Sequence, residues 1–256
     1  MTAFTYHVNP VQIICEDGTP ICATHFCPGS QKPCGIVLIC PALGVGQSFY
    51  HHFAAFLCEN NFSAITFDYR GTGESKTAGS APGLESWARF DINAVIAHAS
   101  TLPEGDHIFL AGHSVGGQIF CLAEKSDKLA GVILVSASFP FWKRWKAPRK
   151  FLMYFFFYIL IPLLSFGKTF PTKKLGLSKE NLPSSIIKDW GRWARHPDYV
   201  TADKFNIDTT SFQSFNTPML SISFDDDTYA PQSAIERLHR EFKKADIKEL
   251  FIDTHL

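Results

Sequence analysis

The 256-residue sequence predicts an α/β protein with a doubly wound, mostly parallel sheet and an inserted helical cap. Three observations carry that expectation. Short apolar, β-branched runs alternate with stretches of helical spacing, the pattern of parallel strands joined by crossover helices. One of those runs leads into Gly112-His113-Ser114-Val115-Gly116, a G-x-S-x-G turn followed by a helix-compatible stretch. The alternation then breaks near residue 139 and resumes after residue 200, giving a core of 1–138 and 201–256 around an insertion of 139–200.

The elements follow in order. Val11–Cys15 and Ile21–Phe26 read as strands joined by Glu16-Asp17-Gly18-Thr19-Pro20, and Asp-Gly between apolar runs is a hairpin signal. Gly35–Cys40 is continuously apolar, as a strand buried on both faces must be. It ends at the Gly-rich loop Pro41–Gly46, where an open α/β sheet places its site. Ser48–Asn60 reads as a helix with Phe53, Phe56 and Leu57 on its apolar face. Phe62–Phe67 is a further strand and runs into Asp68-Tyr69-Arg70-Gly71-Thr72-Gly73-Glu74-Ser75. Trp87–Ser100 has Ile92, Val95, Ile96 and Ala99 in helical register. His107–Ala111 forms the strand before the turn, Gln118–Glu124 a helix after it, and Lys128–Ser136 another buried strand. Past the insertion come a strand (Thr217–Phe224), a helix (Gln232–Ala245, with Ile235, Leu238 and Phe242 in register) and a last strand (Lys248–Ile252).

Composition narrows the function classes. Lys and Arg number 24 against 24 Asp and Glu, with no long like-charge run, so nothing points to nucleic acid. Residues 1–10 lack the basic and apolar regions of a secretory signal. Seven cysteines with no C-x-x-C pair read as reduced thiols of a cytoplasmic protein. No metal-ligand spacing is visible, and the glycines at 112–117 lack the Lys-Ser/Thr of a phosphate loop. No metal or cofactor is therefore expected.

The insertion contains Phe151–Phe166, a 16-residue run without charge. Lys143, Arg144, Lys146, Arg149 and Lys150 precede it, and Lys168, Lys173 and Lys174 follow. Three readings stand open. The run is a cap buried over the site, its aromatic face binding an acyl chain or ring. Alternatively, 151–166 makes peripheral membrane contact as an interfacial helix. As a transmembrane span it is short, since a bilayer needs roughly 20 apolar residues, and it contains Pro162.

The turn at Ser114 has a physical logic. Side chains two positions either side would collide with a strained serine backbone, and glycine at 112 and 116 removes those clashes. Ser114 Oγ is then held above the sheet at a helix N-terminus, with the Val115 N–H aimed at a developing oxyanion. An incidental serine in a glycine-rich turn is the bland alternative.

Asp68–Ser75, Gly112–Gly116 and Phe224–Pro231 together resemble the α/β-hydrolase superfamily, whose members place nucleophile, acid and histidine in this chain order. The branch is similar to the serine-aminopeptidase, monoacylglycerol-lipase and esterase group. Within the insertion, Pro183–Trp193 with His196–Tyr199 resembles a group of predicted bacterial α/β hydrolases. The resemblance implies a serine hydrolase that cleaves an ester or amide of a small lipophilic substrate through an acyl-enzyme on Ser114. It also implies an acid just after the strand that follows the cap. Asp227 stands four residues before Pro231, Asp226 is the fallback, and Asp225 reads as a strand-end cap. The second oxyanion donor falls to the Leu43 N–H, although the superfamily's His-Gly is Pro41-Ala42 here. His255, 28 positions after Asp227, is the candidate base. The group with this insertion carries its histidine later, and no further helix follows the last strand. The rival reading is therefore a truncated or catalytically impaired relative that binds a lipid or protein partner through its cap.

Overall fold

A computed structural model describes residues 5–29, 32–76 and 82–254. Its centre is an eight-stranded sheet. The strands are β1 (Tyr6–Ile14), β2 (Pro20–Pro28), β3 (Ile36–Cys40), β4 (Ser63–Phe67), β5 (Ile108–His113), β6 (Leu129–Val135), β9 (Met219–Phe224) and β10 (Ile247–Ile252). The short strands β7 (Thr169–Phe170) and β8 (Leu182–Pro183) pair separately in the insertion. Strand order is β1-β2-β4-β3-β5-β6-β9-β10. Within this sheet β1, β2 and β4 pair antiparallel and every other pairing is parallel, while β7 and β8 pair antiparallel. The β1–β2 hairpin closes at Gly18, whose φ of +80° suits glycine.

Burial explains the central strands. All five residues of β3 are buried because both faces are covered. Ile36, Leu38 and Cys40 join a core with Trp87, Ile92, Val95 and Ile96 of the helical run 84–99. Val37 and Ile39 face Tyr50, Ala54 and Cys58 on the other side. Burying each such aliphatic side chain stabilises by about 1.5–3 kcal/mol.

The helix after β3 presents a different face from the one its pattern suggests. A 3₁₀ turn, Gln47–Tyr50, leads into the helix His51–Glu59. Tyr50, Ala54 and Cys58 are buried, with Leu57 packed against them, whereas Phe53 and Phe56 are exposed with their rings stacked at 6.4 Å. Small Ala54 and Cys58 let the helix backbone approach the sheet, and that turns the larger rings to solvent.

Two other helices are shorter than their apolar patterns. After Ser114 the helix Val115–Ile119 gives way to a 3₁₀ turn, Phe120–Leu122, which sends Phe120 against Phe215 and Phe242. The helix Gln232–His239 ends before Phe242, which is still buried.

Between β6 and β9 the chain leaves the sheet. Three consecutive segments, Arg149–Phe155, Phe156–Leu160 (π-helical) and Ile161–Leu164, make one helical run. The helix Ser184–Ala194 packs beside it. Among the described residues no helix is long and apolar enough to cross a membrane, so the transmembrane reading of 151–166 is set aside.

Several bonds tie this segment to the core. Asp189 accepts from the Leu84 N–H at 3.0 Å, supplying a cap to the first turn of the 84–99 run. Glu180 accepts from the Gly73 N–H at 2.7 Å and pairs with Lys76. Trp145 Nε1 donates to the Thr228 carbonyl at 3.0 Å.

Candidate active site

The site begins with a strained serine. Ser114 sits between β5 and the helix Val115–Ile119 at φ 50°, ψ −113°. A non-glycine residue there costs on the order of 1–3 kcal/mol and persists only where its surroundings enforce it. The surroundings are visible. Ser114 N–H donates to the Val135 carbonyl at 2.9 Å, and the Ser114 carbonyl accepts from the Gly117 and Gln118 N–H groups. A Cβ on Gly112 would lie 2.7 Å from Gly117, and one on Gly116 would lie 2.3 Å from the Cys40 carbonyl oxygen. The flanking glycines are thus required by the facing turn and by strand β3, rather than by the serine backbone itself.

Ser114 opens on a cavity of about 320 Å³. Leu43, Val115 and Asp227 line it as well, so four of the five residues singled out in the sequence share one space. The fifth, His255, lies outside the described residues. Leu43 belongs to a tight turn in which the Val45 N–H donates to the Ala42 carbonyl and Gly44 takes a positive φ of +75°.

The three aspartates differ in role. Asp227 is half-buried and its Oδ1 accepts from the Tyr229 and Ala230 N–H groups at 2.7 and 3.0 Å. Asp226 is exposed. Asp225 Oδ1 accepts from both the N–H and the hydroxyl of Thr254, fastening the end of β10 to the start of this loop.

His113 also lines the cavity, and its ring is engaged. The Ala42 N–H donates to Tyr50 Oη at 2.9 Å, which leaves the phenol proton for His113 Nδ1, also at 2.9 Å. Burial holds His113 below the ordinary histidine pKa, against the opposing pull of Asp227. A neutral His113 linked through Tyr50 to Ala42 joins the Ser114 turn to the Leu43 loop. Tyr50 was not singled out in the sequence, because its partner is 63 residues away.

Asp68-Tyr69-Arg70 builds the scaffold beside the turn. Arg70 pairs with buried Asp91 at 2.6 Å and with Asp17 at 2.6 Å. Asp68 accepts from the Gln47 and Glu74 N–H groups, and a Cβ on Gly73 would strike its carboxylate at 2.3 Å.

Much of the remaining cavity wall is apolar and comes from the insertion, including Met153, Phe156, Phe157 and Trp190, with Ser136, Ser138 and Thr172 among the polar residues that also line it. Gln118 supplies an amide, its Oε1 held by the buried Tyr199 hydroxyl at 2.8 Å.

A mostly parallel sheet with this strand order and a positive-φ serine after β5 define an α/β hydrolase. The family model described as serine aminopeptidase, S33, matches residues 31–255, and the chain belongs to that family. A curated relative, the uncharacterized protein YfhR of Escherichia coli O157:H7, is 33% identical over 138 residues, 51% of this chain and 48% of YfhR. The chain therefore spans about half the length of the curated relative it matches. Among solved structures, DcsB in complex with its substrate analogue is similar at a TM-score of 0.67 and 16% identity, covering 97% of this chain and 91% of that one. The esterase EaEST from Exiguobacterium antarcticum is similar at a TM-score of 0.62 and 18% identity, covering 94% and 90%. At such identities these likenesses concern the fold alone.

Proposed function

We propose that the chain is a serine hydrolase that cleaves an ester, or less readily an amide, of a small lipophilic substrate through an acyl-enzyme on Ser114. One observation carries this reading: a serine at φ 50° opens on a cavity that it shares with Asp227, Leu43 and Val115. Ser114 Oγ attacks the carbonyl carbon, and its proton passes to a base. The oxyanion is met by the Leu43 and Val115 N–H groups. Collapse expels the alcohol, which takes the proton from the base, and water then releases the acid by the same route in reverse.

His255 is the base in this reading, oriented by Asp227. Thr254, the last described residue, is held by Asp225 at the edge of the acid loop, and His255 follows it in the chain. The apolar wall of Met153, Phe156 and Phe157 favours an acyl chain or aromatic ring over a charged peptide terminus. The named esterase activity of EaEST agrees with this preference. All seven cysteines are free thiols, which fits a reducing cytoplasm.

A fluorophosphonate probe together with p-nitrophenyl esters of increasing acyl length tests the reading. The native chain should be labelled and should hydrolyse the esters, and Ser114→Ala should do neither. Labelling of the alanine variant at the native level would overturn the nucleophile. A folded native chain that neither labels nor turns over would favour a binding protein built on the same fold.

A further inference from the structure

The helical run over residues 149–164 has two unlike faces. Met153, Phe156 and Phe157 turn inward to line the cavity. Phe151, Leu152, Phe155, Ile159 and Leu163 lie outward and exposed at near four-residue intervals, and Phe166, 87% exposed, continues the stripe. A contiguous apolar surface of this kind marks an interaction site.

The charge around the stripe identifies the partner. The chain as a whole is neutral, with 24 basic and 24 acidic residues, yet residues 139–179 hold nine of the basic ones and none of the acidic ones. Lys143 and Lys146 precede the stripe, Lys168, Lys173 and Lys174 follow it, and all five are exposed. Among the described residues none of the nine makes an ion pair. A second copy of this chain on the same face would set two such positive surfaces against each other. An anionic bilayer presents the complement, negative headgroups over an apolar layer.

We infer that this face of the insertion docks on an anionic lipid surface. The 149–164 run lies in the plane of the interface, with Phe155, Ile159 and Leu163 toward the acyl chains and the lysines among the headgroups. A helix is about 10 Å across, so the inner face of the same run brings the cavity within one helix diameter of the lipid. Leu177 both lines the cavity and is exposed, so the cavity reaches the surface of the insertion there.

Sedimentation of the whole chain with lipid vesicles tests this independently of catalysis. Vesicles of phosphatidylcholine with phosphatidylglycerol should bind it, vesicles of phosphatidylcholine alone should bind it weakly, and added salt should release it. Phe155→Glu with Leu163→Glu should abolish binding. Each basic residue near an anionic surface contributes roughly fivefold to partitioning, so Lys168→Glu, Lys173→Glu and Lys174→Glu together should weaken binding by at least about 100-fold. These positions lie outside the cavity wall, so both variants should keep the native circular dichroism and the native rate on a soluble ester. Three results would overturn the inference: no binding to the anionic vesicles, variants that bind as well as the native chain, or a native dimer in light scattering that Phe155→Glu dissolves.

Discussion

Ser178 Oγ, in the insertion, donates a 2.7 Å hydrogen bond to the carbonyl of Gly44, in the loop that follows β3. The turn that orients Leu43 is therefore braced from outside the sheet. Ser178→Ala should cost about 1 kcal/mol of stability, the net worth of one hydrogen bond. It should also lower kcat for ester hydrolysis more than it raises KM. Gly44→Ala should be worse, because a Cβ there would meet Ser178 Oγ at 2.7 Å and the residue holds φ at +75°. Thermal denaturation beside steady-state kinetics checks both.

Ser114 should trade stability against activity. Glycine tolerates its backbone conformation, so Ser114→Gly should raise stability by roughly 1–2 kcal/mol while eliminating turnover. A calorimetric Tm above that of the native chain is the expected result, and a lower one would count against the strain.

The acid loop makes a separable prediction. Asp227→Asn should reduce kcat by on the order of 10³–10⁴, as expected when a base loses its orienting carboxylate. Asp226→Asn, at an exposed position, should stay within a fewfold of native. Equal losses from the two would remove the distinction drawn between them.

Arg70 is buried between two carboxylates, Asp91 and Asp17. Asp91→Ala leaves the guanidinium with only the partly exposed Asp17, and should destabilise by about 3–5 kcal/mol in urea unfolding. Replacing Asp17 should cost less, because its carboxylate is partly solvated.

Stability should fall as the solution is acidified below neutrality. Burial holds His51, His98, His113 and His239 below the ordinary histidine value. Their folded pKa values are lowered, so the unfolded chain binds more protons between those values and about 6.5. The contribution is full above about 6.5 and is lost as pH drops through that window. Urea midpoints measured from pH 8 to pH 5 should decline through the histidines, with buried Asp91, raised to about 6, offsetting part of the fall toward pH 5, and His239→Gln should flatten part of the slope.

The fold was legible where one physical demand dominated. β3, covered on both faces, is apolar throughout, while β4 is equally buried yet carries Ser63 and Thr66 among its apolar residues. The elbow was legible because its two glycines stand at fixed spacing around the serine, although only Gly112 answers a local neighbour and Gly116 answers Cys40 of β3. Legibility failed where the deciding contact is distant or small. Ala54 and Cys58 set the buried face after β3, though Phe53 and Phe56 dominate any hydropathy pattern. Tyr50 reaches His113 across 63 residues, and Asp189 reaches Leu84 across 105, so no local pattern could report either. The apolar run at 151–166 announced itself, but only three-dimensional burial divides its residues between a cavity wall and an outer face.

The Asp189 cap has an evolutionary corollary. A Cβ at position 83 would stand 2.3 Å from Asp189 Oδ2, so the close approach of that carboxylate depends on glycine in the core. Positions 83 and 189 should change together among relatives. Transplanting a foreign insertion into this chain would leave the 84–99 helix without its acceptor unless both positions moved as a pair, so the segment between β6 and β9 is not freely interchangeable.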